Sequence, residues 1–243
     1  MRITVLLGAI STLATLLAGQ GSAGSGIPRT ADGKPDFTGF WNLPYVPNMA
    51  AGKEADVPYT QLGRTAFENH DAKDDPTANC WYPGVPRVMQ SPYPVQFVQT
   101  PERFVMLFEY MRMWRAVPLN GRPHPEKMEP DFMGDSTGHW EDDTLVVDTA
   151  KLKDAPWTWL DTAGHQHSDA LHVIERFRRT AEGIDYEYSV DDPKMYSKPW
   201  TQRRKITPLT TAAGMPELIE YSCNENNKDL GHLVTTKPNA PKP

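Results

Sequence analysis

Between Gly121 and Arg179 the chain reads GRPHP, then GDSTGHWEDDTLVVDT, then GHQHSDALHVIERFRR. Five of the seven histidines (His124, His139, His165, His167, His172) fall here, among Asp135, Glu141, Asp143, Asp148, Asp169 and Glu175. Imidazoles and carboxylates bind metals and move protons near neutral pH, so this stretch is where chemistry would sit. His124 stands between prolines in Arg122-Pro123-His124-Pro125. Those rings preset an extended, rigid backbone, which suits a positioned acid or base. The expected acid–base pair is His124 with His167, oriented by Asp135 and Glu141. His165-Gln166-His167 is an HxH. On a strand its two rings would point the same way, with Cα atoms about 7 Å apart. His124, His165 and His167 are therefore the alternative, a site for a divalent metal such as Zn. The plain structural reading is a set of histidines that merely hydrogen-bond neighbouring loops. Ser136 lacks the strand–turn–helix of an activated serine, and with Asp135 it reads as turn capping. His70, His172 and His232 carry no expected role.

The elements that must position these groups are β-strands. Strand patterns run over Val95–Thr100, Arg103–Tyr110, Arg112–Pro118, Thr137–Glu141, Thr144–Thr149, Leu171–Arg179, Ile184–Val190, Trp200–Thr207 and Glu217–Cys223, with turns every 8–12 residues. Asp142-Asp143 marks one tight hairpin, and Ala181-Glu182-Gly183 marks another with a glycine available for positive φ. Residues 24–93 are loop-rich, with a strand start at Asp36–Trp41 and a short helix over Tyr59–His70 capped by Thr60. Twenty-three prolines argue against long helices. The expected fold is all-β: an antiparallel meander closing into a lipocalin-like barrel, with a β-sandwich as the alternative. Residues 94–243 form the barrel, and residues 24–93 pack on it as part of the same domain. No fixed-period repeat or P-loop is present.

Strand alternation puts several charged groups on apolar faces. Glu109 shares a face with Val105 and Leu107, Glu175 with Val173 and Phe177, Asp148 with Val146, and Arg115 with Met113 and Val117. If those faces line the barrel, all four groups project inside. They then form either an ion-pair network or the polar floor of a ligand cavity. The strand at Arg103 is apolar on both faces, so Phe104, Met106 and Phe108 are equally eligible to point inward. Trp140 is expected inside and His139 outside. Trp157, Trp159 and Trp200 sit in loops or at strand ends, where they bind ligand or plug the barrel mouth. Substrate contacts are assigned to Glu109, Arg115, Trp140, Glu175 and Trp200.

Residues 1–23 read as a secretory signal peptide: Arg2, an apolar run from Val5 to Leu17, and Gly21-Ser22-Ala23 at the cleavage site. The expected location is periplasmic or extracellular, with no membrane insertion after cleavage. Export favours a Cys80–Cys223 disulfide closing a loop of about 143 residues, the alternative being two buried thiols. The formal charge is −6, and the basic residues form only short clusters. That excludes a nucleic-acid footprint.

The motifs together resemble a large group of uncharacterised exported bacterial proteins, common in soil bacteria. The resemblance spans most of the mature chain. Its marks are RTADGKPDFTGFW (Arg29–Trp41), CWYPGVPR (Cys80–Arg87), Glu109 with Arg115, GRPHP, GDSTGHWEDDTLVVDT, HSD (His167–Asp169), ERFRR, DDP with PW (Asp191–Trp200) and EYSCNENN (Glu220–Asn227). One departure is Asp142, where the group more often has glycine. This resemblance implies export and no particular activity. Gly39-Phe40-Trp41 ahead of a meander also resembles the lipocalin and calycin pattern, which implies an up-and-down barrel with a ligand cavity at one end.

The leading functional expectation is an exported enzyme that uses His/carboxylate acid–base chemistry on a small molecule: a lyase, hydratase, isomerase or cyclase without an organic cofactor. A lipocalin-like binding protein for a hydrophobic or aromatic ligand is the second expectation. A metal-dependent enzyme or metal-binding protein is the third, and a structural module of the envelope the fourth. Cavity volume separates them, because a filled barrel excludes a central ligand.

Overall fold

The computed structural model describes residues 26–210 and 216–223. Residues 1–23, expected to be a signal peptide, and His232 lie outside the described residues, as does the end of EYSCNENN. Among the described residues no helix is long and apolar enough to cross a membrane.

Nine antiparallel strands form a nearly closed barrel: β1 (Gly39–Asn42), β2 (Pro94–Gln99), β3 (Arg103–Phe108), β4 (Trp114–Pro118), β5 (Asp135–Glu141), β6 (Thr144–Ala150), β7 (His172–Arg179), β8 (Ile184–Asp191) and β9 (Trp200–Pro208). Their order is β4-β3-β2-β1-β9-β8-β7-β6-β5. Every strand pairs with its sequence neighbour except at two places. β1 pairs with β9 as well as β2, with Trp41 opposite Pro208. β4 and β5 end the order, so the seam of the barrel falls in mid-chain. The loop that carries GRPHP, residues 119–134, connects these two strands across the seam. The loop-rich segment 24–93 does more than pack on the barrel. It supplies β1 as a stave and Phe37 as a fully buried core ring.

Eight of the nine predicted strand positions hold. Glu217–Cys223 does not form a strand; β1, at the strand start expected over Asp36–Trp41, takes the ninth place and completes the sheet from the other end of the chain. The helix forms at Gln61–Asn69, and the Thr60 hydroxyl accepts from Gly63 N as its cap. Asp142-Asp143 makes the tight β5–β6 hairpin, with Asp142 at φ +52°. In the β7–β8 hairpin Gly183 does not need positive φ. A Cβ there would sit 2.4 Å from the Ile206 carbonyl, so it is close backbone approach that requires glycine.

The interior is filled. Phe97, Phe104, Met106, Phe177, Tyr186 and Tyr188 are fully buried. In β3 it is Phe104, Met106 and Phe108 that point inward. That reverses the face containing Val105 and Leu107, and Glu109 lies past the strand end. Arg115 and Glu175 do point inward and pair at 2.5 Å. Arg115 also donates to Ser136 Oγ at 3.0 Å and to Thr149 Oγ1, and Tyr186 donates to the other Glu175 oxygen at 2.8 Å. The ion-pair reading of the inner charges therefore describes Arg115 and Glu175, since buried charges persist where partners and hydrogen bonds satisfy them. Ser136 belongs to this network on β5 rather than to a turn. Cys80 and Cys223 form a disulfide.

Burial raises the pKa of Tyr186, Tyr188 and Tyr196 above the usual phenol value. All three hydroxyls donate, to Glu175, Gln90 and the Gln166 carbonyl respectively. Below pH 10 these phenols are protonated in both the folded and unfolded chain, so they favour neither state. Above that pH only the unfolded chain ionises freely, and each buried phenol removes about 1.4 kcal/mol of stability per pH unit until its folded pKa is reached. Phenolate absorbance should rise steeply above pH 10, together with loss of the β-sheet circular dichroism. Gradual titration in a chain that stays folded would contradict this.

Candidate functional site

The 119–134 loop crosses the seam and folds over the outer face of β5 and β6, where Gly121 N donates to the Gly138 carbonyl at 2.9 Å. Outer-face positions include Asp135 and Thr137 on β5, Asp148 on β6 and His172 on β7, with Thr137 directly opposite Asp148. Gly134 has φ +62°, and a Cβ there would meet the Ala150 carbonyl at 2.4 Å, so the approach to Asp135 needs a glycine.

Asp135 is the organising group. Arg122 grips it with two hydrogen bonds, 2.9 and 2.5 Å, and His124 Nδ1 donates to Oδ2 at 2.6 Å. Burial pulls the Asp135 pKa upward, but the hydrogen bonds from Arg122 and His124 outweigh it and hold the carboxyl below its usual range. On the far side of the ring, His124 Nε2 lies 3.4 Å from Asp148 Oδ2, and His172 Nδ1 lies 3.4 Å from Asp148 Oδ1. His124 is thus the predicted residue whose surroundings look most like a site.

The other expected residues are distributed elsewhere. His167 is fully buried in its own loop, between the Thr158 hydroxyl (2.6 Å) and the Ser168 carbonyl (3.0 Å), and burial lowers its pKa. The HSD motif is anchored there by Asp192, which accepts from Ser168 N and Oγ. His165 is clamped by Asp161 at 2.6 Å and Glu54 at 3.2 Å, its ring stacked on Phe67. The HxH lies in a loop, so the alternation that would aim both rings one way does not apply, and His124, His165 and His167 do not converge. Glu141 shares a face with Asp135 but sits at the other end of β5, about 20 Å along the strand, exposed and paired with Arg176 and His139. Glu109 accepts from Ile219 N at 2.9 Å, and the C-terminal segment rather than a ligand covers it. Trp140 faces inward against Phe37, and His139 is exposed. Trp200 packs 5.1 Å from His165 and 5.7 Å from Tyr196. Trp159 is buried and Trp157 is exposed, stacked on Trp81 at 4.1 Å.

A cleft of about 500 Å³ opens beside this site along the β4–β5 seam. Four arginines line it, Arg103, Arg112, Arg115 and Arg122, together with Asp131 and Asp135. Arg115 and Arg122 are committed to Glu175 and Asp135. Arg112 reaches only the exposed Glu220, and Arg103 has no carboxylate partner among the described residues. Trp114 and Tyr82, 66% and 45% exposed, form aromatic walls. At the rim, Met111 and Arg112 both hold left-handed backbone, φ +54° and +51°, a strained arrangement for consecutive non-glycine residues.

Sequence reasoning missed His172 as a partner of Asp148, and Arg103 and Arg122 as site residues. Parity alone carried a signal for the first: the even-numbered residues of β6 and β7 share the outer face. Arg122 lies in the GRPHP motif with no role assigned to it there, and no local pattern marked Arg103, because the seam brings the two together from a strand and a loop. No protein-family model, no curated protein and no solved structure matches this chain.

Proposed function

We propose that the protein binds a small anionic aromatic molecule in the cleft between β4 and β5. The observation that carries this reading is the cleft itself: its volume suits a small ligand, and its lining residues combine more arginines than acids with exposed Trp114 and Tyr82. Guanidinium groups bind carboxylates through paired hydrogen bonds and stack on rings. Arg103 is free to do so, and the exposed Arg112–Glu220 pair is of the kind that contributes little and yields readily to a competing anion. This ligand lies at the side of the barrel, because side chains occupy the centre. Of the four residues expected to perform acid–base chemistry, only Asp135 lines the cleft. Binding is therefore better supported than a lyase or isomerase step between His124 and His167.

The test is calorimetric titration with benzoate and 4-hydroxybenzoate, against benzamide as the uncharged control. Saturable binding of the carboxylates is expected, with benzamide at least about tenfold weaker, the equivalent of one charge-assisted hydrogen bond. The double variant Arg103→Met/Arg112→Met should lose that preference while melting like the parent. Equal binding of acid and amide, or no saturable binding of either, overturns the reading.

A further inference from the structure

We infer that His124, Asp148 and His172 bind one divalent first-row transition-metal ion of the Zn²⁺ type on the outer wall of the barrel. The argument begins with the proton on His124. Asp135 is an ionised carboxylate held by Arg122, so Nδ1 of His124 must be the donor in their 2.6 Å hydrogen bond. In the neutral ring that leaves a lone pair on Nε2, turned towards Asp148. A buried lone pair facing a carboxylate oxygen at 3.4 Å is unfavourable unless something positive lies between them.

A proton is one answer, with His124 as an imidazolium clamped by two aspartates. The geometry speaks against it. Nε2 is buried and makes no hydrogen bond, although Asp148 is close enough to be an acceptor if aligned. A second buried group is also without a partner here: the hydroxyl of Thr137, directly across from Asp148. Of the three buried side-chain polar atoms without a partner among the described residues, two thus belong to this patch. Buried polar groups are normally satisfied, and two such exceptions on one patch point to a missing partner.

A metal ion with bound water answers both. Two donors 3.4 Å apart, each about 2.1 Å from one ion, subtend about 108°, close to the tetrahedral angle. Asp148 presents one oxygen to each imidazole, and the three donor atoms lie within 4.8 Å of one another. That is slightly wider than two bonds of about 2.1 Å span. His172 is half exposed, with Nδ1 3.4 Å from Asp148 Oδ1, and a small movement of its ring on metal binding would be needed to close the difference. His124 needs no such adjustment, because Asp135 already fixes its tautomer and orientation. A carboxylate hydrogen-bonded behind a ligating imidazole is the usual support of a protein metal ligand. Two imidazoles and a single carboxylate select Zn²⁺-like ions over Mg²⁺ or Ca²⁺, which prefer oxygen donors. The half-exposed side leaves room for water as a further ligand, within reach of the Thr137 face. The inference does not rest on the seam cleft holding a ligand, although Asp135 belongs to the lining of one site and the support of the other.

The experiment uses the mature chain, without a histidine tag or chelators, titrated with Co²⁺ and then with Zn²⁺. One Co²⁺ per chain should bind with a visible absorption band, and Zn²⁺ should displace it. His172→Ala, at a half-exposed position that tolerates truncation, should abolish the band with the fold intact. Asp135→Asn should weaken the ion about 10- to 100-fold, as loss of a supporting carboxylate does. His139→Ala, exposed on the same face but outside the cluster, should change nothing. Absence of stoichiometric binding, or binding indifferent to His172→Ala, overturns the assignment. None of these readouts involves the carboxylate titration, so either proposal can fail without the other.

Discussion

Glu175→Ala should lower the unfolding free energy by about 3–5 kcal/mol, the range for a buried ion pair broken on one side. Glu175 is fully buried inside the barrel and takes the Arg115 guanidinium and the Tyr186 hydroxyl on its two oxygens. Truncating it strands a cation beside Met106, with only the Ser136 and Thr149 hydroxyls left to it. It also strands a phenol whose own pKa is raised by burial and by this carboxylate. The expected loss measures uncompensated charge rather than the net worth of the pair. The double replacement Arg115→Met/Glu175→Leu removes both charges and should recover most of the stability. Arg176→Ala, which breaks an exposed pair with Glu141, should cost less than about 1 kcal/mol. Urea unfolding of the three variants checks the set. If Glu175→Ala costs no more than Arg176→Ala, the network contributes nothing.

Breaking the Cys80–Cys223 bond should cost about 5 kcal/mol in the chain-entropy description, because the bond closes a loop of 143 residues. The cross-link restricts the unfolded chain, and its effect grows with the logarithm of loop length. It also holds the segment after β9 against the barrel. There Ile219 donates to Glu109, Arg112 meets Glu220, and the Tyr221 ring packs edge-on against Tyr93 and Tyr110 at 5.1 and 5.2 Å. Cys80→Ser/Cys223→Ser should therefore unfold at lower urea than the parent, and reducing agent should shift the parent to match it. Identical midpoints would mean that the segment's non-covalent contacts hold it without the bond.

The two proposals and these stability effects meet at the barrel seam, whose position no single strand dictates. β1 and β9 are both short of outer neighbours, and their pairing closes the chain's two ends onto each other. That leaves β4 and β5 unpaired on one side. The loop between them must cross the gap, and it carries Arg122 and His124 with it. Arg115 bridges the same gap from within, reaching Ser136 on β5.

Read alone, the sequence determined the all-β class, eight of its nine strand patterns and the strand start that became β1, the capped helix and the Asp142-Asp143 hairpin, and it favoured the pairing of the two cysteines. Each follows from signals that are local or have no competitor: period-two alternation, turn residues, a hydroxyl cap, and only two thiols to join. It also marked His124 and Asp135 through the rigidity of Arg-Pro-His-Pro and the density of titratable groups. Tertiary structure decided the rest. A strand apolar on both sides, as at Arg103–Phe108, does not say which face is inner; closure against Phe37 and Phe177 does. Asp148 shares parity with Val146, which is buried although it lies on the outer face. His172 meets His124 because strand register and a loop crossing bring together residues 48 positions apart. Alternation assigns a side chain to one of two faces, whereas which face lies inside, and what covers the other, depends on contacts between segments distant in the chain.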